Sequence, residues 1–161
     1  MSGRDVTPTD KLAQRLAIGL PALLLAGAYI SQYGFGLYPC EMCWWQRYGH
    51  FAAVMFGLVS YRAPQGRLWI ALAALAIFAS GEIGAFHAGI ENGWWEGFTT
   101  CSRPPSADGG SAIDAILNAP LIRCDEAQWR LAGISLAGFN AIISIAVTLA
   151  IGWLLGKDRR A

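Results

Sequence analysis

An all-α membrane protein is the fold class this sequence predicts: a four-helix transmembrane bundle with one short and one long loop on its outer side. Three observations carry that expectation. Of 161 residues, 55% are hydrophobic and only 14% charged, an apolar share above the roughly 45–50% of soluble domains. Four stretches are long enough to cross a hydrocarbon core about 30 Å thick, which takes roughly 20 helical residues. The basic residues cluster where such a bundle would bring them to one side. The whole chain, 1–161, reads as a single domain, with outer loops at 33–42 and 91–132.

The first span is Leu12 to Gln32. Arg15 lies near one end, where its stem can reach the headgroups, and Pro21 is tolerated in a membrane helix as a kink. A cleavable leader ending near Leu23–Ala28 is the alternative, but it would leave three helices and undo the topology. The second span, Cys43 to Tyr61, is joined to the third, Arg67 to Ile90, by YRAPQGRL, a link with only enough residues for a turn and with Pro64 and Gly66 as breakers. The fourth, Gly133 to Leu155, contains no charge at all.

Arg4, Lys11, Arg15, Arg62, Arg67, Lys157, Arg159 and Arg160 fall on one side of this arrangement, eight of the twelve Lys and Arg residues. The positive-inside rule therefore places both termini in the cytoplasm. All four cysteines then lie on the opposite side, where disulfides persist, in independent agreement with the charge-based orientation. A net charge of +1 with no basic patch argues against a nucleic-acid partner.

Function is expected in the outer loops. The long one passes through GWWEGF and SRPPSADGGS, and SAIDAILNAPLI would put Ile113, Ile116 and Leu117 on one side of a short helix. That helix suits either the membrane surface or the bundle flank. Trp44, Trp45, Trp94 and Trp95 read as an aromatic belt rather than a cofactor box.

Cys40 and Cys43 form a CxxC, which serves as a redox pair, half a zinc site or a haem attachment. Haem is excluded because Trp44, not histidine, follows Cys43. Zinc would require Cys101 and Cys124 to converge on the first pair, although their spacing repeats no CxxC knuckle. Two stapling disulfides are the structural alternative. A bridge from Cys101 to Cys124 would stabilise by about 3 kcal/mol in the chain-entropy model. One from Cys40 to Cys43 constrains little of the unfolded chain, and strained, exposed disulfides are the exchangeable ones.

If a helix starts near Glu41, Cys43 sits in its first turn, where free N–H groups and the helix dipole favour a thiolate. Arg47 and His50 follow on the same face. Arg47 is either an interface anchor or the partner of an anionic or carbonyl-bearing ligand at the lipid boundary, and a quinone suits that slot. Glu82, within the third span, is either a functional intramembrane acid or a hydrogen-bonded carboxyl inside the bundle.

The motif Pro39-Cys40-Glu41-Met42-Cys43-Trp44-Trp45-Gln46-Arg47, with the loop ending Cys124-Asp125-Glu126-Ala127-Gln128-Trp129, resembles the disulfide bond formation protein B (DsbB) family of bacterial inner membranes. The resemblance covers essentially the whole chain. It implies a thiol:quinone oxidoreductase whose outer loops are periplasmic. A DsbA-like thioredoxin-fold partner would attack at Cys101, freeing Cys124 to exchange with Cys40. Cys43 would then face ubiquinone, more readily expected than menaquinone, with Arg47 assisting. His87 resembles a family position close to the quinone. Two other functions stay open on the residues alone: a noncatalytic membrane scaffold with structural disulfides, and a membrane reductant running electrons outward.

Overall fold

The computed structural model describes residues 7–97 and 122–157. Four helices dominate it: α1 (Pro8–Phe35), α2 (Glu41–Val59), α3 (Gly66–Glu91) and α4 (Leu136–Lys157). A two-stranded antiparallel hairpin, β1 (Arg130–Leu131) and β2 (Ile134–Ser135), precedes α4.

Local chemistry sets the helix ends. Thr7 caps α1 in a reciprocal capping box, its Oγ1 accepting from Asp10 N at 3.1 Å while Thr7 N donates to Asp10 Oδ2 at 3.3 Å. Pro8, which lacks an N–H, sits in the first turn where none is needed. The helix ends at Gly36, whose φ of 68° is costly for a residue with a Cβ. These signals carry α1 past both ends of the span expected from apolarity alone. Pro21 is accommodated inside it.

α3 is central, packing against α2 and α4, while α1 closes the bundle against the same two helices. Small residues permit close approach. A Cβ on Gly49 of α2 would lie 2.8 Å from Ser80 Cβ of α3, and one on Gly84 of α3 would lie 2.9 Å from the Ala137 carbonyl oxygen of α4. Ala17, Ala53, Ile70, Ala73, Ile77 and Ile151 fill the core away from the cysteines. At that end Arg67 ties three helices together: Nη1 pairs with Asp10 Oδ1 at 3.1 Å and Nη2 donates to the Leu155 carbonyl.

α1, α3 and α4 are long and apolar enough to cross a membrane, with mean hydropathies of 1.4, 1.8 and 2.0 in their most apolar windows. Their outward faces carry Leu23, Ile30, Leu75 and Leu149, all exposed, as a lipid-facing surface requires. α2 is not in that set, although Cys43 to Tyr61 was expected to span. Gln46, Arg47 and His50 lower its apolarity, yet all three are buried, turned away from the outer surface. Glu82 is exposed on α3 rather than enclosed in the bundle, as one expectation had it. The short helix expected around Ile113 to Leu117, and Cys101, lie outside the described residues.

Candidate functional site: a dithiol on the wall of a polar-ended cavity

Cys40 is the N-cap of α2, with extended backbone angles of −75° and 177°. Its Sγ accepts from Cys43 N at 3.3 Å, and its S–H donates to Cys43 Sγ at 3.0 Å. Cys43 is therefore the third residue of the helix, in the first turn as expected, and carries the acceptor sulfur. Cys40 is only 2% exposed and Cys43 half-buried, so the pair is less open than an exchangeable disulfide was expected to be.

Cys124, 6% exposed, joins Cys40, Met42, Ile90 and Ile122 in one apolar cluster, with Trp45 packed against it. The fold thus brings one member of the second cysteine pair to the first. Gln128 fastens the two cysteine-bearing segments by donating from Nε2 to the Tyr38 carbonyl at 2.7 Å. Beside Cys124, hydrogen bonds from Arg123, Nε to Oδ1 at 2.8 Å, hold the exposed Asp125 carboxyl below its ordinary pKa. Arg130 braces the far side of the site, donating to the Glu91 carbonyl at 2.8 Å and to Asn92 Oδ1 at 3.0 Å at the C-terminus of α3, where a cation meets the negative end of the helix dipole.

A cavity of about 270 Å³ opens beside the dithiol, and Cys43, Arg47, His50, His87 and Asn140 all line it, together with Leu24 and Ala28 of α1. Arg47 is 6% exposed. It donates from Nη1 to Gln32 Oε1 at 2.6 Å and from Nη2 to the Ala28 carbonyl at 3.1 Å. Its guanidinium also lies over the rings of Tyr29, at 4.7 Å, and Trp44, at 5.0 Å. Of the five N–H groups of the guanidinium, these two hydrogen bonds use two. The arginine is both an anchor between α1 and α2 and a donor on the cavity wall.

His87 is placed beside Cys40 rather than Cys43, with Nε2 at 3.6 Å from Cys40 Sγ and 3.7 Å from Glu91 Oε1. Its Nδ1 is 3.1 Å from Gln46 Nε2. Gln46 continues inward, its Oε1 accepting from Asn140 Nδ2 at 2.9 Å. Asn140 Oδ1 then meets His50 Nε2 at 2.7 Å, with Ser80 Oγ at 3.0 Å from the same nitrogen. A polar chain thus runs from the dithiol through the bundle to His50, using all of α2, α3 and α4.

Gln46, Ser80 and Asn140 were not singled out from sequence. Asn140 did leave a signal, as the lone amide in a charge-free apolar run, where a polar side chain turns to its neighbours for partners. Gln46 was hidden inside a motif noticed for its cysteines.

Cys40, Cys43 and His87 present their donor atoms within 4.8 Å of one another, the makings of a metal site. Two thiolates on one tetrahedral zinc, each about 2.3 Å from it, stand roughly 3.8 Å apart. These sulfurs are 3.0 Å apart and share a hydrogen bond, closer than two thiolates on one zinc.

A helical bundle with three membrane-crossing helices, a CxxC at a helix N-terminus and a third cysteine packed against it defines a membrane thiol–disulfide protein. The family model described as "Disulfide bond formation protein DsbB" matches residues 10–154, and the chain belongs to that family. It is similar to Disulfide bond formation protein B of Verminephrobacter eiseniae, 31% identical over 168 residues covering 97% of this chain and 90% of the relative. That of an Acidovorax species is 31% identical over 172 residues, covering 97% and 92%. An uncharacterized protein of Rickettsia prowazekii is 23% identical over 150 residues, covering 90% and 87%. No solved structure matches. Family membership makes this a bacterial membrane protein with an oxidoreductase role in disulfide bond formation.

Proposed function

We propose that the chain is a protein-dithiol:quinone oxidoreductase of the bacterial inner membrane, which reoxidises a DsbA-like thioredoxin-fold protein in the periplasm. In this proposal α2 is the fourth membrane span, both termini are cytoplasmic and the cysteines are periplasmic. The observation that carries it is the placement of Cys43, Arg47 and a polar chain on the wall of a single cavity, with Cys124 packed against Cys40.

The residues fit a quinone. Such a ring needs an apolar slot with hydrogen-bonding groups for its oxygens, and the cavity offers leucine and alanine of α1, the Arg47 guanidinium and a buried nitrogen without a partner among the described residues, His50 Nδ1. A bound quinone, ubiquinone being the expected one, supplies an acceptor for two electrons and two protons.

The protein's own steps are exchanges. A partner thiolate attacks Cys101, breaking the Cys101–Cys124 disulfide and releasing Cys124 as a thiolate. Cys124 attacks Cys40 and expels Cys43, whose thiolate is favoured in the first turn of α2 and near Arg47. The partner's second thiol displaces Cys101 and leaves oxidised. Cys101 then attacks Cys124, restoring the loop disulfide and leaving Cys40 and Cys43 as the reduced pair. The hydrogen bond from Cys40 to Cys43 fits that dithiol state. Closing the pair again releases two electrons and two protons.

The test is to reconstitute the chain in lipid, supply reduced thioredoxin-fold partner and a short-chain ubiquinone, and follow quinone absorbance. Partner oxidation without loss of quinone absorbance would overturn the proposal. Within it, Cys124→Ser leaves Cys101 a free thiol that is expected to open the disulfide of oxidised partner, releasing the partner's second thiol, and to accumulate a covalent complex visible on nonreducing gels, because no Cys124 is left to pass the exchange to Cys40. A complex forming equally through Cys40 when Cys101 is absent would reverse the order of exchange.

A further inference from the structure

The hydrogen bonds around His50 determine which of its ring nitrogens carries a proton. Asn140 Nδ2 faces the Ser80 carbonyl at 3.1 Å, and a carbonyl only accepts, so the amide nitrogen is the donor there and Oδ1 is the acceptor toward His50. Ser144 Oγ, at 3.1 Å, donates to that same Oδ1. Ser80 spends its own hydrogen on the Gln46 carbonyl at 2.9 Å, leaving its oxygen to accept. Both groups around His50 Nε2 are therefore acceptors, and Nε2 must hold the proton. In the neutral ring Nδ1 is then a bare lone pair. It is buried, in a side chain 3% exposed, with no partner among the described residues, and the residue lines the cavity.

A bare lone pair can accept from a hydroxyl but clashes with a carbonyl oxygen, which has nothing to donate. We infer that His50 Nδ1 holds one oxygen of the cavity's ligand, accepting from a quinol hydroxyl when neutral and taking up one proton from solution in order to donate to a quinone carbonyl. This rests on the cavity taking a quinone, as proposed above. It makes His50 a proton-linked specificity residue, with Asn140 and Ser80 as its positioning residues. The other titratable or charged groups on the cavity wall are Tyr38 and Cys40 just before α2, Cys43 and Arg47 on α2, and His87 and Glu91 on α3. The segment before β1 adds Arg123 and Glu126, and the lining residues of α1 and α4 add none.

Proton uptake is measured directly by calorimetry. Decylubiquinone and decylubiquinol are titrated into the full-length protein in lipid nanodiscs, in buffers of differing ionisation enthalpy at about pH 8, where an ordinary histidine is neutral. The parent is expected to take up a fraction of a proton per quinone bound, rising as the pH is lowered toward about 7, and none per quinol. His50→Gln keeps a donor toward Asn140 but has nothing to titrate. It should lose the uptake and bind quinone a few-fold more weakly at about pH 8, because protonating the ring offsets most of the charge-assisted hydrogen bond, with a larger gap from the parent at lower pH.

His50→Asn instead leaves an amide near Nδ1, and should bind quinone more tightly than His50→Gln, again without uptake. Quinone binding by the parent with no proton uptake overturns the inference alone, and that result needs no variant to fold. Uptake persisting in His50→Gln also overturns it, by moving the proton to another wall group. A parent that binds no quinone removes the proposed function, and this inference with it.

Discussion

Cys40→Ser is expected to abolish reduction of quinone by the partner, a loss of at least about 10³-fold, comparable to removing the nucleophile of a covalent mechanism. The fold should survive. Cys40 is the N-cap of α2, and serine is among the preferred N-cap residues, its Oγ accepting from the same Cys43 N–H that the sulfur now takes. The substitution removes the sulfur chemistry while keeping the helix start. Thermal unfolding in lipid should therefore move by no more than a few degrees. Attack of the partner on Cys101 should persist, because Cys101 belongs to the other pair. Retention of more than a tenth of parental quinone reduction would mean that electrons leave by a route that avoids Cys40.

Arg47→Ala is expected to slow quinone reduction, or raise its KM, by about 10- to 100-fold. One charge-assisted hydrogen bond contributes about 1.5–3 kcal/mol, and about 1.36 kcal/mol is a factor of ten. The structure adds a second effect. Gln32 and the Ala28 carbonyl would lose their guanidinium partner, and the seam between α1 and α2 should loosen, at a cost of about 1–3 kcal/mol for the groups left unpaired. Arg47→Lys separates the two contributions, because it keeps the charge but cannot serve Gln32, Ala28 and a ligand at once with one planar fork. Partial recovery of rate is expected from lysine, with partner exchange at Cys101 unaffected in either variant. Parental rate and KM in Arg47→Ala would leave the arginine as an anchor only.

The three most apolar helices were legible because apolar length and the breakers Pro64 and Gly66 are local properties of the chain. The first turn of α2 was legible too, since Pro39 and the CxxC mark a helix start. What stayed hidden depends on rotation about helix axes. Arg47 reaches α1 while His50 reaches α3 and α4, and residues three apart on one helix give no hint which neighbour each will meet. His87 was placed near the cofactor by resemblance, but its contact with Cys40 follows from the crossing of α2 and α3, which Gly49 and Ser80 set. Glu82 shows the same limit from the other side: its depth in the span was readable and its outward face was not.

The inward turn of the α2 polar residues has a consequence for how the protein is made. In the proposed four-span topology, a nascent helix bearing Gln46, Arg47 and His50 has no partners until its neighbours arrive, and an arginine costs about 2.5–3.5 kcal/mol to insert at the centre of an isolated span and less in the second turn, where Arg47 lies. Arg47 finds Gln32 and Ala28 on α1, which is synthesised first, whereas His50 must wait for Ser80 and then Asn140. α2 should therefore enter the bilayer poorly when fused alone to a reporter, better when α1 precedes it, and best with α3 following. Equal insertion in all three fusions would mean that the segment's own apolarity suffices. In cells the order of synthesis then matters: the span that carries the chemistry commits to the bilayer only once its neighbours are there to receive its polar side chains.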